Sequence, residues 1–227
     1  MEWYREWCRK NWKSVVALRI LKEAMLEICR SISDCVKNVN DEEVDKLIDL
    51  LLEIWKNNKR VFVTGAGRSG LMGRAFAMRL MHLGYEVFVV GETITPALRE
   101  GDILIAISGS GTTKLVLETS KIAKEEIGAK VVAITSYPDS PLGKIADHVV
   151  VVKGRTKSEV ESDYLSRQMR GEHSPLTPLG TLFESNVLAF LDGLIAELME
   201  KTGKKEKDLE RNHAKPDGVV AALKGEE

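Results

Sequence analysis

Two glycine-rich turns carry the residues of this 227-residue chain that are best suited to binding a charged ligand. The first, Gly65–Gly70, reads Gly-Ala-Gly-Arg-Ser-Gly, and the second, Ser108–Thr113, reads Ser-Gly-Ser-Gly-Thr-Thr. Each turn follows a short apolar run typical of a buried strand and precedes a helical pattern. Backbone N–H groups at the start of a helix attract anions, and glycine lets a ligand approach the backbone closely. Two such turns in succession therefore predict a phosphate-bearing ligand held between them.

The first turn by itself also matches the G-x-G-x-x-G pattern of dinucleotide-binding folds. Glu92, at the end of the next predicted strand, sits roughly where such folds keep the acid that binds the ribose. These two features favour an NAD-binding oxidoreductase. Arg68 and Ser69 argue against it, because they would crowd a bridging pyrophosphate but suit a sugar phosphate. A second phosphate-binding turn is also more than a dinucleotide fold needs at this position.

The second turn is rich in hydroxyl side chains, which belong to Ser108, Ser110, Thr112 and Thr113. A helix cap needs only one hydroxyl, so this set indicates a cradle that wraps a terminal phosphate. No Gly-Lys-Ser/Thr sequence follows either turn, which argues against ATP hydrolysis by a P-loop. No group of His, Cys or acidic residues has the spacing of metal ligands, and we expect no bound metal.

Composition excludes several other classes of function. The net charge is −1 and the isoelectric point is about 6.5, so no overall field would attract nucleic acid. Lys and Glu interrupt every apolar run that could span a bilayer, and the first residues do not resemble a secretory signal. We therefore expect a cytoplasmic protein without nucleic-acid or membrane partners. Cys8, Cys29 and Cys35 form no CxxC pair and are expected to be reduced packing residues.

The elements that position both turns follow an α/β pattern. Five short apolar strands, joined mostly by helices, predict a parallel sheet covered on both faces, which makes a three-layer, doubly wound α/β/α sandwich. Ligands of such sheets bind beyond the carboxyl ends of the strands, where both turns fall. The predicted strands are 60–64, 86–90, 103–107, 131–135 and 148–152, and the predicted helices around them are 71–83, 114–127, 141–146 and 181–199.

We expect a single domain over residues 1–227. It would contain N-terminal helices in 1–58, the doubly wound core in 59–152, a loop and a long helix in 153–202, and a charged tail in 203–227.

The first predicted helix, near residues 3–38, begins with Trp3, Trp7 and Trp12. These rings either cover the core of their own chain or pack on another subunit, and the sequence leaves both interpretations open. A single domain offers little core so far from the sheet. Asn40, followed by Glu43, resembles a capping box that starts a second helix.

The run from Val61 to Val152 resembles the sugar isomerase (SIS) domain family, whose hallmark is the Ser-x-Ser-Gly-x-Thr turn that holds the phosphate of a phosphosugar. Residues 78–84, 91–96 and 179–184 are similar to the 6-phospho-3-hexuloisomerases within that family. The resemblance covers roughly residues 14–215 and implies a flavodoxin-like fold. The first dozen residues and the stretch after His213-Ala214 depart from the family pattern.

This resemblance implies an activity. The enzymes interconvert D-arabino-hex-3-ulose 6-phosphate and fructose 6-phosphate through a 2,3-enediol, without metal or cofactor, and usually form homo-tetramers. The alternative within the same domain family is a non-catalytic phosphosugar-binding regulator. An NAD-binding oxidoreductase is the more distant alternative.

The catalytic groups are predicted at two places. Glu184, near the start of the last long helix and just after a turn with proline and glycine, is similar to a glutamate that related isomerases place on an equivalent helix. We predict that it is the base, and the alternative is that it only complements the helix dipole. His213, in a segment that resembles a C-terminal His-Ala segment of the family, is expected to assist from its own or a neighbouring subunit. His173 is its rival.

The substrate-binding groups are predicted in both turns. Arg68 would hold the phosphate or a substrate oxygen, because a cation at a helix start opposes the helix dipole unless it has a partner. The phosphate cradle would consist of the hydroxyl residues Ser69, Ser108, Ser110, Thr112 and Thr113.

Overall fold

The centre of the molecule is a sheet of five short strands. They are Val61–Gly65 (β1), Val87–Val89 (β2), Ile103–Ile107 (β3), Lys130–Thr135 (β4) and His148–Val151 (β5). The computed structural model describes the backbone of residues 2–154 and 176–212, and the side chains of residues 19–154 and 176–209. Within this part of the chain the strand order is β2-β1-β3-β4-β5, and every neighbouring pair is parallel. The predicted parallel, doubly wound sheet is confirmed.

Helices surround the sheet, and most lie where the sequence pattern predicted them. They are Glu2–Asn38 (α1), Asp41–Lys56 (α2), Gly67–His82 (α3), Lys114–Lys121 (α4), Pro141–Ile145 (α5), Thr181–Thr202 (α6) and Glu206–Asn212 (α7). One π-helical turn, Ile122–Glu126, extends α4. Two differences concern the site and the tail. α3 begins within the first glycine-rich turn, and α7 occupies part of the segment that was predicted only as charged.

The sheet is covered on both faces because its side chains alternate between two cores. Val63, Ile105 and Ile134 face one core, which they share with buried residues of α2, α3 and α6. Phe62 and Leu104 face the opposite side, where Ala123 and neighbouring residues cover them. Each fully buried side chain of this size contributes about 1.5–3 kcal/mol relative to an exposed one. The predicted three-layer sandwich is confirmed.

A buried ion pair aligns β1 and β3 at their amino ends. Asp102, whose side chain is 3% exposed, accepts from the Arg60 guanidinium at 2.6 Å and from the Arg60 backbone N–H at 3.1 Å. It also accepts from the backbone N–H of Arg99 at 2.9 Å. Because the carboxylate is fully paired, it joins the two strands at the edge opposite the glycine-rich turns.

One hydrogen bond caps the start of α2, and another attaches this helix to the sheet. Asn40 caps α2, accepting from the backbone N–H of Glu42 at 2.9 Å, as the capping pattern predicted. The Glu43 carboxylate accepts instead from the backbone N–H of Val151 at 2.8 Å, which secures the outer strand β5.

Tyr85 provides a test of stability against pH. Its hydroxyl is buried without a hydrogen-bond partner in the described part of the chain, and burial raises the pKa of Tyr85 to about 12. The unfolded chain releases this proton near pH 10 and the folded chain does not, so stability should fall as pH rises from 10 to 12. Tyr85→Phe should remove that part of the fall and cost less than about 1 kcal/mol at pH 7. Urea unfolding of both proteins at pH 7, 9 and 11.5 measures this, and equal losses at alkaline pH would contradict it.

Candidate active site

The two glycine-rich turns meet above the middle of the sheet. Gly65, the last residue of β1, is in register with Ile107, the last residue of β3. From here the chain winds toward β2 on one side and toward β4 on the other. Such a change of direction leaves a crevice beyond the carboxyl ends of the two strands. The structure therefore brings both predicted turns to one place.

The first turn needs its glycines for its own geometry. Gly67 has a φ of +57°, which favours glycine. A Cβ at Gly70 would lie 2.7 Å from the carbonyl oxygen of Gly65, so α3 packs on the end of β1 only with glycine there. The literal dinucleotide pattern is thus explained by backbone packing. No side chain caps the start of α3 at Ala66, which leaves its first N–H groups directed toward the crevice.

The second turn pairs its hydroxyls. Ser108 Oγ and Thr113 Oγ1 are 3.0 Å apart, and Thr112 donates to Ser110 Oγ at 2.9 Å through its hydroxyl and at 3.3 Å through its N–H. Thr112 therefore supports Ser110. Thr135, the last residue of β4, donates through Oγ1 to the carbonyl oxygen of Gly109 at 3.2 Å, which attaches the second turn to β4.

A cavity of about 390 Å³ lies between the turns and the start of α6. Ala66, Thr113 and Gly180 are the cap positions of α3, α4 and α6, and all three line it. Among the described residues no side-chain hydrogen bond caps the start of these three helices, so three positive dipole ends converge on the same space. Hydroxyl groups line the cavity as well: those of Ser69, Ser108, Ser110 and Thr113. This arrangement suits a phosphate group.

An arginine and a glutamate form an ion pair in the wall of this cavity. Arg68 Nε donates to Glu184 Oε2, joining the first turn of α3 to the first turn of α6. The Arg68 side chain is 59% exposed and that of Glu184 only 12%, so the carboxylate is largely shielded from water. The pair explains how a cation is tolerated at the start of a helix. Gly180 makes room for the carboxylate, since a Cβ there would lie 3.1 Å from Glu184 Oε1.

Phe183 forms an apolar wall of the cavity that sequence reasoning did not single out. Its ring is buried against the second turn, where a Cβ at Gly109 would lie only 2.8 Å from it. Gly154 is also close, since a Cβ there would lie 2.3 Å from the Phe183 Cα. Phe183 falls within the predicted helix 181–199 and the family-like segment 179–184, but no feature of the sequence distinguishes it from its neighbours as part of the site.

The other predicted groups are placed as follows. His213 and His173 lie outside the described residues. Glu92, the acid that favoured a dinucleotide, pairs with Arg74 at 2.7 Å and lines a separate depression beside β2. The searched part of the chain holds no cluster of three His, Cys, Asp or Glu residues arranged for a metal ion. No helix among the described residues is long and apolar enough to cross a membrane.

Comparisons with known proteins agree on one family. A family model described as the SIS domain matches residues 53–165. A Bacillus subtilis protein named 3-hexulose-6-phosphate isomerase is 39% identical over 85% of this chain and 96% of its own. A Methanocaldococcus jannaschii protein of the same name is 38% identical over 77% of this chain and 86% of its own.

A solved structure is similar over almost its entire length. It is the crystal structure of a Methanococcus jannaschii protein for which the molecular function of 3-hexulose-6-phosphate isomerase was inferred. The TM-score is 0.69 at 35% sequence identity, covering 86% of this chain and 99% of that chain. The segment matched by the family model, 53–165, contains the whole sheet and both glycine-rich turns.

Proposed function

This chain belongs to the SIS domain family and is a phosphosugar isomerase, and we propose that it interconverts D-arabino-hex-3-ulose 6-phosphate and fructose 6-phosphate. The observation that carries the proposal is the content of one cavity. Three uncapped helix starts and four hydroxyl groups meet there with the pair of Arg68 and Glu184. The relatives named 3-hexulose-6-phosphate isomerase support this choice of phosphosugar.

The phosphate would bind over the second turn. Ser108, Ser110 and Thr113 supply hydroxyl groups, and the start of α4 supplies backbone N–H groups. Ser69 adds a hydroxyl from the opposite wall, while Thr112 orients Ser110. With the phosphate seated here, the sugar carbons would extend toward the start of α6, where Glu184 lies.

Glu184 would act as the base. The reaction requires loss of the proton on C2, formation of a C2–C3 double bond and protonation of O3, which gives the 2,3-enediol. O2 then loses its proton, and C3 takes up the proton that the base removed from C2. A single shielded carboxylate facing both carbons can carry that proton, and among the described residues Glu184 is the one carboxylate that lines the cavity.

Arg68 would hold an oxygen of the substrate. In the structure its guanidinium is engaged by Glu184, and it is exposed enough to turn toward a ligand. A cation beside O2 and O3 would stabilise the negative charge that develops as the enediol forms. His213 would shift the proton between the two oxygens, with His173 as the alternative.

We also propose that the protein works in the cytoplasm as a homo-oligomer, a tetramer by resemblance to its family. The chemistry proposed for this cavity requires neither a metal ion nor a nicotinamide cofactor. Both statements are open to direct measurement.

The test is an assay of the purified full chain with D-arabino-hex-3-ulose 6-phosphate, in which fructose 6-phosphate is followed without added cofactor and with a chelator present. We expect product to accumulate to an equilibrium mixture from either side. Calorimetric titration with NADH and with fructose 6-phosphate runs in parallel. Binding of the phosphosugar without turnover would instead indicate a regulator, and binding of NADH alone would indicate an oxidoreductase.

Changing the hydroxyls of the second turn should affect binding more than turnover. Ser108→Ala and Ser110→Ala each remove a hydrogen bond to a charged phosphate, so we expect KM to rise about tenfold and kcat to stay within a few-fold. Thr119→Ala is the matched control. Its hydroxyl donates to the Leu115 carbonyl within α4 and does not line the cavity, so its KM should not change. An unaltered KM in both serine variants would show that the phosphate binds elsewhere.

A further inference from the structure

An apolar groove of about 680 Å³ lies between α1, α2 and α6 and shares no lining residue with the candidate active site. Ile32, Val44 and Leu194 are among the apolar side chains of its wall. We propose that the tryptophan-rich start of α1 from a second copy of this chain, residues 3–10, occupies this groove, and that the two copies do so reciprocally. This inference concerns assembly and does not depend on the catalytic proposal.

Among the described residues, the groove contains a buried acceptor that lacks a hydrogen-bond donor. Asn186 lines it and is 2% exposed. Its amide nitrogen donates to Ser31 Oγ at 3.0 Å and to the carbonyl oxygen of Lys153 at 2.7 Å, but in the described part of the chain nothing donates to its Oδ1. A buried acceptor without a donor is unfavourable, so the occupant should bring one. A tryptophan side chain fills apolar space and carries one N–H donor.

The charges of the groove and of the proposed segment are complementary. Asp41, Asp45 and Glu197 line the groove, and Glu197 also lies 3.7 Å from Lys201. Residues 2–13 contain two acidic and four basic side chains and so carry a net charge of 4 − 2 = +2. Trp3, Trp7 and Lys10 recur at spacings of four and three, which are the spacings of positions that share one face of a helix.

If the tryptophan-rich segment occupies the groove, it comes from a second copy, because α1 is one continuous helix, Glu2–Asn38. Trp7 and the groove residue Ile32 are 25 positions apart in sequence. At 1.5 Å per residue they are about 38 Å apart along the helix axis. A rigid helix therefore cannot fold its own start back into the groove.

An antiparallel pairing of two α1 helices would fill the groove of both copies at once. If a two-fold axis passes near Leu21, Trp7 of one copy lies beside Cys35 of the other, which is a groove residue. The same pairing covers an apolar stripe that is otherwise in water. Leu21, Met25 and Val36 on this stripe are 53%, 57% and 71% exposed. Exposed apolar stripes of this kind mark contact surfaces.

Gly193 provides a way to fill the groove without disturbing the fold. It lines the groove in the middle of α6, and a Cβ there would meet no atom within 4 Å. Replacing glycine inside a helix also favours helix formation. Gly193→Leu therefore blocks the groove, and Gly193→Ala is the matched control that changes the helix but leaves most of the space.

The experiment measures the association constant of the full chain by sedimentation velocity over a range of concentrations. We expect Gly193→Leu and the double variant Trp3→Ala/Trp7→Ala each to weaken one association step by about 30-fold or more, as the loss of a central interface contact does. Gly193→Ala should associate like the wild type. Combining Gly193→Leu with the tryptophan changes should add little further loss, because both act on the same contact. Circular dichroism and urea unfolding check that each variant is folded.

Several results would overturn the proposal. One is a wild-type chain that is monomeric at every concentration. Another is a folded Gly193→Leu or tryptophan variant whose association is unchanged. A third is association that depends instead on residues 213–227, seen when a chain ending at residue 212 dissociates while the tryptophan variant does not; the tail would then be the contact.

Discussion

Glu184→Gln should lower kcat by about 10²–10⁴-fold while fructose 6-phosphate binds with nearly its original affinity. Glutamine keeps the volume of the side chain, and its amide oxygen can still accept from Arg68, so the shape of the cavity should persist. What it loses is the ability to take the proton from C2. Steady-state kinetics in both directions, together with calorimetric binding of fructose 6-phosphate, separate the two effects.

Glu92→Gln is the matched control for that variant. Glu92 is also a glutamate paired with an arginine, Arg74, but it lies outside the cavity. Its removal should leave kcat and KM unchanged, because an exposed ion pair contributes little. If Glu184→Gln retained most of its turnover, the carboxylate would be a partner that only orients Arg68, and the base would have to be sought elsewhere.

Gly111→Ala should weaken both the fold and the binding of the substrate. Gly111 has a φ of +62°, and a Cβ there would lie 1.9 Å from Ser140 Oγ and 2.5 Å from Ser140 Cβ. Because the second of these atoms belongs to a short, fixed side chain, the backbone of the turn has to move. The unfavourable φ and the overpacking together should cost about 3 kcal/mol in the free energy of unfolding. The displaced turn should raise KM by more than the loss of one serine hydroxyl does.

Gly203→Ala separates the effect of an unfavourable φ from the effect of the steric clash with Ser140. Gly203 ends α6 with a φ of +68°, but a Cβ there would meet nothing within 4 Å. We expect a loss of about 1 kcal/mol and no change in KM. Urea unfolding and steady-state kinetics of both variants measure the difference. Equal losses of stability in the two would mean that the contact with Ser140 does not constrain the second glycine-rich turn.

Much of the fold was predictable because its signals are local. Short apolar strands such as 103–107 are buried on both faces, and a run of five apolar residues shows this directly. Element boundaries were predicted less well. α3 begins at Gly67, inside the first turn, because glycines allow close packing that no apolar periodicity reveals.

The site was predictable in its parts and not in its contacts. The hydroxyls of the second turn are predicted from residue type and position, and Glu184 is predicted from its place near the start of the last long helix together with the resemblance to related isomerases. The pairing of these hydroxyl groups could not be predicted. Only the structure shows that Thr112 donates to Ser110 while Thr113 lies beside Ser108. Glu92, which would bind a ribose only under the dinucleotide alternative, lies in a different depression, because strand β2 carries it away from the turns.

The sequence by itself determined the ligand-binding edge of this protein. Apolar strands that each end in a glycine-rich turn must bring those turns to one edge, because parallel strands all end on the same side of the sheet. Only the tertiary structure decided which side chains meet there. Arg68 and Glu184 are 116 positions apart, and Phe183 contacts a turn 74 positions before it at Gly109 (183 − 109). Such contacts depend on how α6 packs against α3, and no local pattern of residue types records that packing.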